Sequence, residues 1–313
     1  MAAIKRREEA LSAQIYPSTR DYVGYGRNVP KVFWPKSAKV AINIQVNYEE
    51  GAEYTYALDQ RNEGAGEFMG ALSGIADKTV ESTYEYGSRA GFWRIMRVLD
   101  EYGISATINA CAVAVDRNPE VGDYIAHSKH EVACHGYRFE EAWHLDREEE
   151  KKRIAMAVAS LERSCGRRPV GWISRLMPSD STRELLVEEG GFIYDSDALN
   201  DDLPYFVKVK GKDHLVLPIT FTYNDARFIV AGCDDPAAFA RYCCGAFDEL
   251  EREGFTHPKM MTISLHPRIM GQAGRIVALR EFIDHAMRAG SAWFAPRADI
   301  ARWWIENHEE FRK

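Results

Sequence analysis

Short apolar segments alternate with longer amphipathic segments along most of this chain. The clearest amphipathic helix is predicted over residues 146–165, where Ile154, Ala157, Val158 and Leu161 recur at helical spacing. The alternation continues without a change in composition and without a linker rich in Pro and Ser. Such a pattern is typical of an α/β domain with a mostly parallel sheet. About seven β/α units can be counted, which favours a single closed or nearly closed barrel.

The predicted barrel follows a short N-terminal arm. Residues 1–22 have mixed charge and little apolar periodicity, so we expect an arm there and the barrel over residues 23–313. Residues 52–80 are glycine-containing and irregular, which is typical of a functional lid, and we expect them to cover the mouth of the barrel. Strands are predicted over residues 39–47, 105–115, 131–136, 168–173, 192–195, 215–217 and 260–265. The other helices are predicted over residues 88–102, 119–128, 179–189, 237–252 and 275–289.

Charge and composition argue against several classes of partner. The formal net charge of −7 disfavours a nucleic-acid surface or a site for anionic lipid. No apolar run approaches the roughly 18–20 residues that span a bilayer, and the N-terminus lacks the apolar centre of a secretion signal. The six cysteines show no CxxC spacing, which indicates free thiols in a reducing cytoplasm.

The segment 42–51 carries the first candidate for chemistry. Apolar and polar residues alternate along it, which predicts a strand buried on one face. It ends in Glu49 and Glu50, followed by Gly51, where the backbone can turn sharply. Carboxylates at the carboxyl end of a strand lie where barrel enzymes place their active sites. An isolated Glu-Glu-Gly is also compatible with a solvated surface turn, so the case for a catalytic role depends on the residues at the other strand ends.

Four further strand ends are predicted to present polar side chains. They are His135, Arg168, Asp195 and His266. Histidines, acids and arginines that meet at one barrel mouth would suit acid–base chemistry on a carbonyl group. Each of these residues, taken alone, is equally compatible with a structural role: a packed histidine, a turn or a helix cap.

Several motifs resemble the allantoinase-type branch of the polysaccharide deacetylase superfamily. They occur in the family's order and spacing at residues 47–51, 84–91, 135–138, 168–172, 188–197, 201–205 and 299–302. The resemblance implies a distorted (β/α) barrel. It also implies hydrolysis of a C–N amide bond, with ring-opening of a ureide such as allantoin in the nearest branch.

The resemblance assigns roles to individual residues. Glu49 takes the place of the catalytic-base aspartate, and Glu50 that of the first metal-ligand aspartate. His135 matches the first histidine of a His-x-x-x-His metal motif, but Phe139 stands where the second would be. The allantoinase-like branch, which shares this departure, is thought to work without a metal. We therefore expect no cofactor; if a divalent metal such as zinc is bound, Glu50 and His135 would be its ligands.

The remaining predicted site residues follow from the same resemblance and from the chemistry. His266 matches the late-strand histidine that acts as general acid toward the leaving nitrogen. Without a metal, a permanent cation would have to polarise the carbonyl oxygen. The candidates for this and for other substrate contacts are Arg89, Arg138, Arg168, Arg268, Trp172 and Asp195.

The substrate and two alternative functions stay open at this point. The expected substrate is a small-molecule cyclic amide: an allantoin-like ureide, an imide or a lactam. Residues 173–178 are more apolar than the corresponding turn of allantoinase-like relatives, which disfavours allantoin itself and leaves open a larger cyclic amide, imide or lactam. The alternatives are a metal-dependent N-deacetylase of an acetylated sugar or amine, and a non-catalytic binding barrel. The expected location is the cytoplasm, with no nucleic-acid or membrane partner, and the expected assembly is a homo-oligomer.

Overall fold

The computed structural model describes residues 20–64, 72–230, 232 and 234–311. The chain divides into a short unit, Met1–Pro30, and a large unit, Lys31–Lys313. In the short unit, the Asp21 carboxylate accepts hydrogen bonds from the N–H groups of Val23 and Gly24. The arm predicted over residues 1–22 lies almost wholly outside the described residues.

A curled, mostly parallel sheet forms the centre of the large unit. Its described strands are β1 (Val40–Tyr48), β2 (Thr107–Ala110), β3 (Glu131–Cys134), β4 (Gly171–Trp172), β5 (Tyr194–Asp195), β6 (Tyr205–Val209), β7 (Lys212–Val216), β8 (Lys259–Leu265) and β9 (Ala292–Phe294). Their order is β6-β7-β5-β4-β3-β2-β1-β8, and β9 also pairs with β1. All neighbouring pairs are parallel except β6 and β7. Sequential strands are thus neighbours along most of the sheet, as in a β/α barrel.

The segment after β7 brings the two edges of the sheet together. The Ser264 N–H on β8 donates to the Tyr223 carbonyl over 3.0 Å, and Asn224 forms a parallel bridge with Ser264. Ile219 N–H meanwhile donates to the carbonyl of Ala198, which follows β5. The sheet therefore curls into a partly closed barrel, and the predicted distorted (β/α) barrel is confirmed.

Helices surround the sheet. They are α1 (Tyr56–Asp59), α2 (Lys78–Tyr86), α3 (Phe92–Tyr102), α4 (Ala112–Arg117), α5 (Pro119–His127), α6 (Arg147–Cys165), α7 (Thr182–Glu189), α8 (Asp225–Val230), α9 (Pro236–Glu253), α10 (Pro267–Met270), α11 (Ile276–Ala289) and α12 (Arg297–Phe311). Asp146 caps the start of α6 by accepting from the Glu149 N–H, and Gly166 ends that helix in the left-handed conformation. No helix in the described ranges is long and apolar enough to cross a bilayer.

Strand β1 is buried on both faces, whereas its alternating pattern predicted one buried face. Its apolar side chains, such as Ile42, Ile44 and Val46, belong to the main hydrophobic cluster. Its polar side chains Asn43, Gln45 and Asn47 are equally buried, because they point into the curled sheet. Buried polar groups require hydrogen-bond partners, so the barrel interior is a network of amides and hydroxyls.

A buried arginine fills part of this interior. The Arg297 guanidinium donates to the Ser196 hydroxyl, the Thr262 hydroxyl and the backbone carbonyls of Leu217 and Pro218. Its own backbone N–H donates to Thr107 Oγ1 over 2.8 Å. Arg297 is thus hydrogen-bonded to segments from four places in the chain. The interior of the barrel, beneath its mouth, is filled with side chains.

Three local predictions from the sequence were wrong. Residues 112–117 form α4 and do not extend the predicted strand; a short apolar run cannot be told from a buried helix by periodicity alone. Strand β6 was missed, although Lys210 and Gly211, both with positive φ, make the two-residue turn typical of its hairpin with β7. Arg168 precedes β4 and so lies at the amino end of that strand, not at its carboxyl end.

A π-helical turn, Gly87–Gly91, joins α2 to α3 and packs against α10. A Cβ atom on Gly91 would overlap the backbone carbonyl of Pro267, and one on Gly87 would overlap the Glu50 carboxylate. The Pro267 backbone cannot move aside as a flexible side-chain tip would, and the Glu50 carboxylate is held by hydrogen bonds from two backbone N–H groups. The two glycines therefore permit an approach that larger residues would prevent.

We predict that Gly91→Ala lowers the free energy of unfolding by about 1–3 kcal/mol, because the added methyl group overpacks a buried contact. The matched control is Gly245→Ala in α9, where an added Cβ meets nothing within 4 Å. That control should gain about 0.5–1 kcal/mol, since Gly is unfavourable inside a helix. Urea-induced unfolding of both variants measures the effect, and equal changes in the two would contradict the packing argument.

Candidate active site

A cavity of about 440 Å³ opens at the carboxyl ends of β1, β3 and β8. This size suits a small organic molecule. Its lining combines charged, amide and apolar side chains: Gln45, Asn47, Glu49, His135, Phe139, Ile173, Ser174, Leu176, Met177, Pro178, Ser196, Asp197, Ala198, Leu199, Ile219, Phe221, Asn224, Ala226, Arg227, Ser264 and His266. Three predicted site residues, Glu49, His135 and His266, are therefore brought together on one wall.

The Glu49 carboxylate is the centre of this wall. Its Oε1 lies 3.3 Å from His135 Nε2 and 3.6 Å from His266 Nε2. Its Oε2 accepts a hydrogen bond from Arg268 Nη1 over 2.7 Å. Although Glu49 is buried, which opposes ionisation, the charges of Arg268 and His266 hold the pKa of its carboxyl group well below the usual range. Glu49 is thus an ionised carboxylate at neutral pH.

Glu50 lies behind Glu49 and is not among the described residues that line the cavity. Its two oxygens accept from the backbone N–H groups of Arg268 and Glu49, and Arg268 Nη1 is 3.5 Å away. Burial raises the pKa of the Glu50 carboxyl group to about 7. Glu50 is therefore placed to orient Arg268 and the backbone of Glu49, and it does not face a bound molecule directly.

His266 is held by a partner that the sequence analysis missed. Its Nδ1–H donates to Asp225 Oδ1 over 2.6 Å, and its backbone N–H donates to Asp225 Oδ2 over 2.8 Å. Burial would lower the pKa of His266, but the carboxylates of Asp225 and Glu49 raise it to about 10. Asp225 begins α8 and follows no predicted strand, so the sequence carried no signal for it. Because Asp225 binds the Nδ1–H of His266, the Nε2–H of the imidazolium is the ring N–H that faces the cavity.

His135 is oriented from the other side. Its Nδ1–H donates to the Ile173 carbonyl over 2.6 Å, which directs Nε2 toward Glu49. The ring of Phe139, where a second imidazole would complete a metal motif, lies 5.7 Å from the His135 ring. The described residues contain no group of three or more His, Cys, Asp or Glu side chains placed to hold a metal ion. The Arg268 guanidinium already contacts both carboxylates, so this donor set does not fit a divalent cation.

Asp197 and Ser174 form a further polar pair in the cavity, and neither was predicted. The Asp197 carboxylate accepts from the Ser174 hydroxyl and backbone N–H, each over 2.7 Å. Trp172, a predicted substrate contact, donates its indole N–H to Ser174 Oγ and packs on Phe192. Trp172 is thus a support for this pair and is not among the described lining residues.

Asp195 is fully buried beside this pair, away from the cavity surface. Its carboxylate accepts from the Arg183 guanidinium over 2.7 Å and lies 2.9 Å from His214 Nε2. Burial opposes its ionisation, but His214 and Arg183 lower the pKa of Asp195. The structure therefore places Asp195 in an internal ion pair that anchors the end of β5.

The four predicted arginines occupy different places. Arg268 contacts Glu49, as described. The Arg138 guanidinium donates hydrogen bonds to the Asp59 carboxylate and to the backbone carbonyls of Ala52 and Glu53. Arg168 pairs with Glu189, and Arg89 is exposed on the π-helical turn. None of the four is among the described residues that line the cavity, whereas Arg227, which was not predicted, lies there with its guanidinium over Phe221.

The predicted lid is described except for residues 65–71. Its residues 52–64 contact the loops after β3 and β4. Glu63 is buried in an ion pair with Arg175, and the Ala52 carbonyl accepts from the Phe139 N–H. No described residue in 52–80 is among those that line the cavity. Residues 52–64 thus pack against the loops that form the wall carrying His135.

Known proteins are similar to this chain in sequence and fold. The polysaccharide deacetylase family model matches residues 74–179. A putative polysaccharide deacetylase of Schizosaccharomyces pombe is 32% identical over 93% of this chain and 98% of its own length. The crystal structure of Puue allantoinase superposes with a TM-score of 0.89 at 40% identity, covering 94% of this chain and 99% of that one.

A second crystal structure agrees. It is that of a probable polysaccharide deacetylase from Pseudomonas aeruginosa PAO1, with a TM-score of 0.88 at 40% identity over 93% of this chain and 99% of that one. The similarity runs along nearly the whole of both chains. The chain therefore belongs to the polysaccharide deacetylase family, a family of hydrolases that act on C–N bonds.

Proposed function

We propose that this protein opens a cyclic amide, such as a cyclic ureide, by hydrolysis and without a tightly bound metal ion. The observation that carries the proposal is the ionised Glu49, flanked by His135, His266 and Arg268, on the wall of a cavity of about 440 Å³. The 40% identity to Puue allantoinase over 94% of the chain supports a cyclic ureide as the kind of substrate.

In the proposed reaction, Glu49 accepts a proton from a water molecule as the water oxygen attacks the amide carbon. His266 then donates its Nε2 proton to the ring nitrogen as the C–N bond breaks. The products are a carboxylic acid and a free N–H group, and the proton held by Glu49 returns to His266. The two side chains are 3.6 Å apart, so this return needs no rearrangement.

Positive charge beside the reacting carbonyl would stabilise the oxyanion that forms. Arg268 is permanently charged, and His266 is an imidazolium at neutral pH because its pKa is raised to about 10 by Asp225 and Glu49 against the effect of burial. In a buried site such charges act more strongly than in water. The ion pair with Arg268 also lowers the basicity of Glu49, so the carboxylate is always available but is a modest base.

The alternative, a metal-dependent N-deacetylase, is less well supported by the side chains present. It would need Glu50 and His135 as ligands. The Glu50 oxygens already accept from two backbone N–H groups, and His135 Nε2 faces Glu49. The non-catalytic alternative leaves the imidazolium–carboxylate pair without a role. We therefore favour the metal-independent hydrolase.

We predict that Glu49→Gln and His266→Ala each lower kcat on a cyclic ureide by about 10²–10⁴, which is the usual loss for a general base or acid. The matched control is Glu189→Gln, which removes a carboxylate that pairs with Arg168 at the opposite end of the barrel. Steady-state kinetics of the three variants, with circular dichroism to verify folding, provides the test. Near-native turnover in both site variants would place the chemistry elsewhere.

Chelation should leave the activity intact. Exhaustive dialysis against EDTA is expected to change kcat/KM less than twofold, and added zinc should not raise it. Elemental analysis of the same samples shows whether a metal is present. One tightly held metal per chain, with activity lost on its removal and regained on its return, would instead establish the N-deacetylase type of site.

The rate should fall in alkali. A general acid acts only when protonated, so kcat/KM should stay level through neutral pH and decline as pH rises through about 10, where His266 loses its proton. Asp225→Asn removes a negative charge beside His266, lowers its pKa and moves this decline to lower pH. Asp248→Asn is the control, since Asp248 contacts the partly exposed His285 far from the cavity. An unchanged profile in Asp225→Asn would exclude His266 as the acid.

A further inference from the structure

The cavity has two zones of opposite polarity. Its deep part is lined by polar side chains of the barrel interior, among them Gln45, Asn47 and Ser264. Its rim is lined by apolar side chains, among them Leu176, Met177, Leu199 and Phe221. A ligand that fills both zones must therefore be polar at one end and apolar at the other.

The rim exposes unusually large apolar side chains. Leu176, Met177 and Leu199 are 61%, 52% and 54% exposed, and they lie on the loops that follow β4 and β5. A single exposed leucine needs no explanation, but a contiguous apolar patch at a binding cavity does. Leu176 also has a φ of +55°, a backbone conformation that is uncommon for a residue with a branched side chain. The loop thus holds apolar surface at the cavity entrance at a cost in local strain.

The deep zone offers hydrogen-bonding atoms that have no protein partner among the described residues. Gln45 Nε2 donates to Asn47 Oδ1 over 2.8 Å, which leaves Gln45 Oε1 as an acceptor without a donor. Ser264, its register partner on β8, likewise has an unpaired Oγ. These two residues are only 2% and 1% exposed. Unpaired buried polar atoms are unfavourable, so an N–H group of a ligand would be bound well there.

We propose that the substrate is a cyclic amide that carries an apolar substituent on its ring. A ring N–H outside the scissile bond donates to Gln45 Oε1 or Ser264 Oγ, and the substituent contacts Leu176, Met177 and Leu199. The scissile carbonyl then lies beside Glu49, between the two zones. This inference rests on the proposed ring-opening activity and adds the class of ring substituent to it.

A series of 5-substituted hydantoins tests the inference on the native protein. The members carry a ureido group, an isobutyl group or a benzyl group, and kcat/KM is measured for each. The benzyl compound should exceed the ureido compound by about tenfold or more, because burying a few methylene-sized groups discriminates by that amount. Methylation of the non-scissile ring nitrogen should lower kcat/KM by a similar factor.

Variants of the rim identify the residues responsible. Leu176→Ser and Met177→Ser should lower kcat/KM for the benzyl compound several-fold more than for the ureido compound. Val277→Ser, which removes an exposed apolar side chain of α11, is the control and should change neither. Turnover of the ureido compound that equals or exceeds that of the benzyl compound overturns this inference alone. Absence of turnover for every member overturns the ring-opening activity itself, and with it the inference.

Discussion

The contact of the Arg268 guanidinium with Glu49 and Glu50 is the interaction on which the rest of the site depends. Two adjacent carboxylates, both buried, would repel each other and would favour their neutral forms if no cation were present. Arg268 is 2.7 Å from Glu49 and 3.5 Å from Glu50, and its guanidinium also lies over the Tyr84 ring. The outcome is unequal: the pKa of Glu49 is lowered in spite of burial, whereas burial raises the pKa of Glu50 to about 7. One carboxylate is thereby kept ionised, whereas the other can stay neutral.

The same cation explains why the donor set does not suit a metal ion. A divalent cation would have to displace a guanidinium that already satisfies both carboxylates, and it would find one imidazole where Phe139 has replaced a second. In the proposed reaction, the charge that a metal would supply comes from Arg268 and from His266, whose imidazolium is stabilised by Asp225. The family fold would then be retained while different residues provide the electrostatics, in line with the general rule that function resides in the site and not in the fold.

The polar inner face of β1 connects this chemistry to the architecture. Alternate residues Gln45, Asn47 and Glu49 point into the curled sheet, so each step of two residues moves roughly 7 Å along the cavity wall. The carboxylate is at the mouth, and the amides continue the polar surface inward to the level of Ser264. Closure by the 223–224 segment brings Asp225 to the back of His266. The apolar rim comes from loops outside the sheet, where changes in sequence disturb the barrel least.

The sequence by itself indicated the barrel and three residues of the cavity wall. Alternating strand and helix patterns indicated the parallel sheet, and the carboxyl ends of parallel strands meet at one edge, so Glu49, His135 and His266 could be expected to converge.

Tertiary structure alone decided the partners of those residues. Arg268 reaches Glu49 across 219 positions in the chain, and Asp225 belongs to a helix that carried no sequence signal. The alternation of β1 shows that Glu49 and Glu50 face opposite ways, but which of them faces the cavity depends on the direction in which the sheet curls. Local patterns specify elements and faces; the distances between charges, and with them the pKa values and the chemistry, arise only when distant segments pack together.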